Sequence, residues 1–325
     1  EAESLRDGGR FHRRDGDAAA PEGGVHANAG GGRRRSHYSP ASMLAYRHAF
    51  HAGNHADVLK HVVLALVLRH MNAKNKGWRY VDSHAGAGGY SLHSAYANKR
   101  AEHADGIGRL WGRADLPPAV ADYVELVRGF NPGGTLDQYP GSPAIAHALR
   151  RPQDELHLHE LHPTDHKILA SWLADERGVQ VSMDDGFAAI ARELPPPTRR
   201  GVLLIDPPYE LRADYAKVLA GLRDALARFA DGVVIVWLPQ LQLLEAARLP
   251  QRLKAAAAPA KKGWLLARLS VARGDARGFG LLGSSVFVAN PPHTLAPLLR
   301  ELLPWLAAEL SQCERPQWAL ETGGG

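Results

Sequence analysis

The sequence predicts an α/β domain with a mostly parallel central sheet. Three observations carry that prediction. Short apolar runs of strand length alternate with amphipathic helical stretches over most of the chain. A glycine-rich turn, HAGAGG, follows directly on the first of those strands. Acidic residues recur where later strands end, which is where open α/β sheets bind their ligands.

Taken in order, ordered sequence is expected from about Met43. Val58, Leu59, Val62, Val63, Leu66 and Val67 recur at helical spacing and predict one amphipathic helix between about His55 and Met71. Trp78 to Ser83 (WRYVDS) reads as a buried strand that runs into the glycine turn. Residues from about 93 to 135 hold helical patterns and prolines without clear strands and are read as a small helical insertion. Strands are then expected at 155–160, 179–182, 201–205, 232–237, 264–271 and 283–289, which makes seven in the sheet. Helices are expected at 143–150, 164–175, 186–193, 212–229, 240–257 and 294–311. No internal repeat is apparent.

Composition bounds the rest. Of the 325 residues, 45% are hydrophobic, enough for a sizeable core. Lys and Arg exceed Asp and Glu by 39 to 34, a net charge of +5 that suits a phosphate-backbone partner and many other soluble enzymes equally well. A single cysteine, Cys313, excludes an internal disulfide framework and any cysteine-rich zinc site, and it fits a reducing cytoplasm. No apolar run reaches the roughly 20 residues that span a bilayer, and no secretory h-region is visible. Residues 1–42 hold Gly, Ala, Arg and acids with almost no aliphatic side chains. They are expected to be a disordered extension, with Arg33 to Arg35 as a candidate basic arm. The folded domain is expected over 43–312, and 313–325 is expected to be a flexible tail.

The strongest motif is Asp206-Pro207-Pro208-Tyr209, directly after the apolar strand GVLLI. An exocyclic adenine amine is a poor nucleophile because its lone pair is delocalised into the ring. A carboxylate at Asp206 accepts one N–H, and the carbonyl of Pro207, held by two prolines, accepts the other. Such a pair favours a tetrahedral nitrogen aimed at an electrophile, so catalysis is orientation and electrostatic positioning. Tyr209 offers an aromatic face on which an extruded base can stack. A similar run, Asn290-Pro291-Pro292-His293, lacks the fourth-place aromatic and reads as a strand terminator.

The glycine turn, including His84 and Gly86, lets backbone approach a ligand. No Lys-Ser/Thr follows it, so it is not a phosphate-cradling loop. Glu160, at the end of the next strand, can accept both hydroxyls of a ribose. Asp185-Gly186 ends the strand after that, where Asp185 can accept from a nucleoside amine or cap a helix. Ser142 reads first as a helix N-cap with Pro143 at the first helical position. The clustered histidines (His157, His159 and His162; His48, His51, His55 and His61) form no H-E-x-x-H and have no cysteine partners, so no metal site is assigned.

With these residues assembled, the chain resembles the ribosomal large-subunit methyltransferase J family, the 23S rRNA adenine-2030 N6-methyltransferases. The resemblance runs from about Met43 to Leu310. It includes the stretch Tyr46 to His61 (YRHAFHAGNHADVLKH), Asp82 to Gly88, Tyr139 to Pro143, Glu160 to Pro163, Asp185 to Phe187 and Ile205 to Glu210. It implies a Rossmann-like class I fold and S-adenosylmethionine as cofactor. It further implies cofactor contacts from Lys60, His61, His84, Ser142, Glu160, Asp185, Gly186 and Asp206, Asp206 as catalytic acceptor, and Tyr46 where the base enters. A monomer acting on naked 23S rRNA or an early assembly intermediate is expected. The rivals are a DNA adenine-N6 methyltransferase, which would want a target-recognition segment that the short insertion does not supply, and a non-catalytic RNA-binding assembly factor. The favoured reading requires Asp206 to face the HAGAGG turn and not to be buried in a salt bridge.

Overall fold

The helical spacing between His55 and Met71 produces one long helix, α1 (His55–Asn72), in the computed structural model, which describes residues 51–93, 102–272 and 280–324. Residues 1–42, and with them the expected extension, lie outside the described part. The side chain of Asn54 caps α1 by accepting the N–H groups of Ala56 and Asp57, each at 3.0 Å.

The strand WRYVDS becomes β1 (Arg79–Asp82). A short hairpin follows, β2 (Gly89–Ser91) paired antiparallel with β3 (Gln138–Pro140). Between its strands lie a 3-10 turn at Glu102–Asp105, α2 (Ile107–Trp111) and α3 (Pro118–Gly129), in the stretch expected to be helical. The chain continues through α4 (Ser142–Leu149), β4 (Glu155–His159), α5 (Pro163–Trp172), β5 (Val179–Ser182), α6 (Gly186–Glu193) and β6 (Gly201–Ile205). It ends with α7 (Arg212–Arg228), β7 (Val233–Gln240), α8 (Leu244–Ala256), β8 (Trp264–Ser270), β9 (Gly283–Ala289), α9 (Leu295–Glu309) and β10 (Gln317–Gly323).

The main sheet has eight strands in the order β10-β8-β9-β7-β6-β1-β4-β5. The five strands from β7 to β5 are parallel, and β9, β8 and β10 join by antiparallel ladders. Both faces are covered, which is why GVLLI is buried at every position rather than alternating. Val202 and Leu204 pack with α1 and α9 residues such as Leu59 and Leu299. Leu203 and Ile205 pack with α7 and α8 residues such as Leu222 and Leu253. After β1 the chain moves outward to β4 and β5, then returns to place β6 on the other side of β1. That reversal opens the crevice where such sheets hold ligands, between the carboxyl ends of β1 and β6.

Two expectations are corrected. The sheet has eight strands, not seven, and the segment 313–325 contains β10, paired with β8 from Gln317↔Ser270 to Gly323↔Trp264, so it is not a flexible tail. Its signal was faint because it is an edge strand with little buried surface: Trp318 is 43% exposed. Backbone pairing and the Lys254–Glu321 ion pair at 2.7 Å hold it, neither of which depends on an apolar pattern. The run Asn290-Pro291-Pro292 does terminate β9. Asn290 takes φ +53°, and its buried amide donates to the carbonyls of Ala230 and Gly232, each at 2.8 Å.

Deleting residues 316–325 strips the ladder from β8 and bares an apolar edge. Thermal melting should fall by at least roughly 5 °C, as expected for the loss of about 2 kcal/mol in a domain of this size. A flexible tail would leave the melt unchanged.

Candidate active site

The carboxyl ends of β1, β4, β5 and β6 bring most of the candidate residues to one edge of the sheet. Asp82 ends β1 fully buried. Its Oδ2 accepts the hydroxyls of Tyr80 and Ser142, each at 2.7 Å, and its Oδ1 accepts the N–H of His84 at 3.2 Å. Burial pushes the Asp82 carboxyl up, against the opposing pull of those donors. Gly86 and Gly88 follow at φ +63° and +81°, conformations that side-chain-bearing residues avoid. The turn is tied to β4 by Glu160, whose Oε2 accepts the N–H of Gly86 at 2.7 Å and whose Oε1 accepts the N–H of His162 at 2.6 Å. Burial raises the Glu160 carboxyl while these two N–H groups draw it down. Glu160 thus splints the glycine turn, and any ribose contact falls to its remaining lone pairs.

Asp206 emerges from β6 on the face covered by α1, and there it meets Lys60. The ammonium lies 2.6 Å from Asp206 Oδ2 and 2.8 Å from Asp57 Oδ1, with the Lys60 side chain only 4% exposed. Burial alone would push this ammonium down, but the two carboxylates override it and hold Lys60 well above the usual lysine range. The Asp206 carboxylate is therefore committed to a largely buried ion pair, which overturns the requirement that it stand clear of one and corrects the free acceptor that the motif suggests. The pairing takes one oxygen: no hydrogen bond in the described structure takes Asp206 Oδ1. β1 and β6 are parallel neighbours with Asp82 paired to Leu204, so the carboxylate ends its strand on the same edge as the glycine turn.

Tyr209 also differs from expectation. It takes φ +54°, an arrangement that costs an ordinary residue about 1–2 kcal/mol. The turn is held by its ring, which packs 4.9 Å from Tyr215 and 5.9 Å from Trp237, and by its hydroxyl, which donates to the Trp237 carbonyl at 2.6 Å. With 5% of its surface exposed, the aromatic face expected to stack on a base is covered, and Tyr209 serves to lock the Pro207-Pro208 turn.

Asp185 caps α6, accepting the N–H of Phe187 at 2.9 Å through Oδ1. Gly186 is glycine because α6 starts against β1: a Cβ there would sit 1.8 Å from the Ser83 carbonyl oxygen. His84 bonds Ser83 Oγ through Nδ1 at 2.8 Å and meets the Phe187 ring edge-on at 4.8 Å. Ser142 is the first residue of α4, with Gly141 as its N-cap, so its hydroxyl serves Asp82 rather than capping the helix. His61 is 1% exposed and bonds the Tyr139 hydroxyl at 2.8 Å, which in turn meets the Tyr123 hydroxyl. Its ring is an interior post of α1, without an open face for a cofactor. Tyr46 lies outside the described residues.

Three site residues were missed. Asp82 was quoted only as part of the turn, although an acid ending a buried strand before glycines is itself a signal. Asp57 lies three residues before Lys60 on α1, the spacing of an ion pair. Trp237 sits within the apolar run of β7, where an aromatic passes for core.

Burial holds the imidazoles of His55 and His84 down to about 4 from their ordinary 6.5, against nearby carboxylates. Both stay neutral in the folded protein while the unfolded chain protonates, so the unfolded state binds more protons between those values. Stability that is complete above pH 6.5 is lost as the pH falls toward 4. Denaturant midpoints should drop from pH 7 to pH 5, and His55→Gln with His84→Gln should flatten that slope. An equally steep slope in the double variant would contradict the assignment.

Comparison with known proteins closes the question of kinship. The model of a family described as ribosomal RNA large subunit methyltransferase D, RlmJ, matches residues 75–321. Ribosomal RNA large subunit methyltransferase J of Haemophilus influenzae is 42% identical over 280 residues, covering 86% of this chain and 98% of that protein. The Escherichia coli K12 protein of the same name is 42% identical over 268 residues, covering 82% and 94%. A crystal structure of a Legionella pneumophila protein superposes with TM-score 0.77 at 29% identity, covering 84% of this chain and 98% of that one. The chain belongs to the RlmJ family of ribosomal RNA large-subunit methyltransferases.

Proposed function

We propose that this chain moves the methyl group of S-adenosylmethionine to the N6 amine of an adenine in 23S rRNA, adenine 2030 by resemblance. Membership of the family supports methyl transfer to ribosomal RNA. The observation that carries the amine is the Asp206 carboxylate: it sits at the end of β6, locked before two prolines, with one oxygen held by Lys60 and the other available.

The residues at the edge fit a nucleoside cofactor by their chemistry. Glu160 and Asp185 end adjacent strands with acceptor oxygens suited to ribose hydroxyls and a base amine, and the glycine turn brings backbone close. S-adenosylmethionine supplies an electrophilic methyl group on a sulfonium, and the surplus negative charge of Asp57, Lys60 and Asp206 taken together suits a cation nearby. Lys60 fixes the plane of the Asp206 carboxylate through its bond to Oδ2. Asp206 Oδ1 and the Pro207 carbonyl then accept the two N6 hydrogens, which turns the nitrogen lone pair out of the ring system. Tyr209, through its bond to β7, prevents the turn from drifting. The same reading has the protein acting as a cytoplasmic monomer on naked 23S rRNA or an early assembly intermediate.

Transfer of tritium from labelled cofactor should go to 23S rRNA and not to duplex DNA, and mass mapping should place it on N6 of an adenine. Asp206→Asn should slow transfer by roughly 10²–10³-fold while cofactor binding stays within a few-fold. Preference for DNA, or an undiminished rate in Asp206→Asn, would overturn the reading. Complete absence of transfer by the wild type would favour a non-catalytic assembly factor.

A further inference from the structure

Trp237 is the direct neighbour of Asp206. Ile205 pairs with Val236 in the parallel ladder, so the next position on each strand sets Asp206 beside Trp237. Both stand two residues beyond Leu204 and Ile235, which face α1, and Lys60 from α1 reaches over both. Its ammonium is 2.6 Å from Asp206 Oδ2 and 5.8 Å from the centre of the Trp237 ring. The Trp237 carbonyl receives the Tyr209 hydroxyl, so the strand that carries the indole is tied to the Asp206 turn at a second point. The residue is half-buried, yet its indole Nε1 is buried and has no hydrogen-bond partner. An unpaired buried donor is destabilising, and an apolar ring would fill the same space without that penalty. The donor therefore calls for a partner that arrives with the substrate.

We propose that the Trp237 N–H positions the target base, donating to a ring nitrogen beside the amine that Asp206 holds. This rests on the adenine reading. With N6 gripped by Asp206 and Pro207, the acceptors that flank it on the adenine are N1 and N7. An indole N–H is a donor only and matches either. Held at N6 and at one ring nitrogen, the base keeps no freedom to rotate in its plane, and this sets the amine's angle of attack. Solvent does not reach Nε1 in this conformation, so engagement requires the indole to turn, or its cover to part, as the base enters.

The test is single-turnover methyl transfer to a 23S rRNA fragment carrying adenosine, 1-deazaadenosine or 7-deazaadenosine at the modified position. The wild type is compared with Trp237→Phe and with Trp237→benzothienylalanine, in which sulfur replaces the N–H in a ring of the same shape. The wild type should lose about tenfold on one of the two deaza substrates. Both variants should lose about tenfold on adenosine and nothing further on that same analogue. The benzothienyl variant should melt at or slightly above the wild type, because the N–H has no partner within the protein and its burial is a cost. Equal analogue penalties in all three proteins, an unchanged rate of the benzothienyl variant on adenosine, or a marked fall in its melting temperature would each overturn the proposal. Failure of the wild type to methylate adenosine would instead sink the adenine reading, before any variant is compared.

Discussion

One buried ammonium organises this site. Lys60 sits between Asp57 on its own helix and Asp206 at the end of β6, with almost no access to water. Two carboxylates and one ammonium leave a net negative charge in a sheltered place. Desolvating such groups costs several kcal/mol per ion and is repaid only by close geometry and further hydrogen bonds. Asp57 has such a bond from the Gly53 N–H at 2.9 Å. Removing Lys60 would leave two buried carboxylates facing each other, and removing Asp206 would leave its oxygen's place at the sheet edge empty of charge. An arrangement this costly has no obvious value for folding, since an apolar trio would pack as well. It makes sense as a means of presenting one carboxylate oxygen in a fixed direction.

The rest of the edge extends the same logic of presenting groups by spending internal bonds. Asp82 draws in Ser142 and the His84 backbone and so joins α4 to the glycine turn. Glu160 uses both oxygens on backbone N–H groups and joins the turn to β4. Gly186 allows α6 to start against Ser83, which sets Asp185 at the same height. The reversal of strand order at β1 is what brings these pieces and Asp206 together, although they lie far apart in the chain.

Much of this was legible in the sequence because its signals are local. A period of 3.6 over 17 residues gives α1, and strand-length runs with apolar stretches give β6 and β9 to the residue. The strand-end positions of Glu160, Asp185 and Asp206 follow from those runs. What escaped depends on partners that no local pattern reveals. The edge strand β10 is held by its ladder to β8 and carries no apolar stripe. The burial of Tyr209 depends on Tyr215 and Trp237, and the capture of Asp206 depends on a lysine 146 residues earlier in the chain. Ser142 does not cap because α4 starts one residue earlier than its pattern suggests, with Gly141 at the N-cap, and its hydroxyl donates instead to Asp82, 60 residues away.

The claim on which the account turns is that Lys60 and Asp206 act as one unit. A double-mutant cycle in single-turnover methyl transfer, with Lys60→Met, Asp206→Asn and the pair, measures this directly. The account predicts strong non-additivity, with the double variant no more than a few-fold slower than the slower single variant. Two losses that simply multiply would mean that the ion pair is incidental to the chemistry.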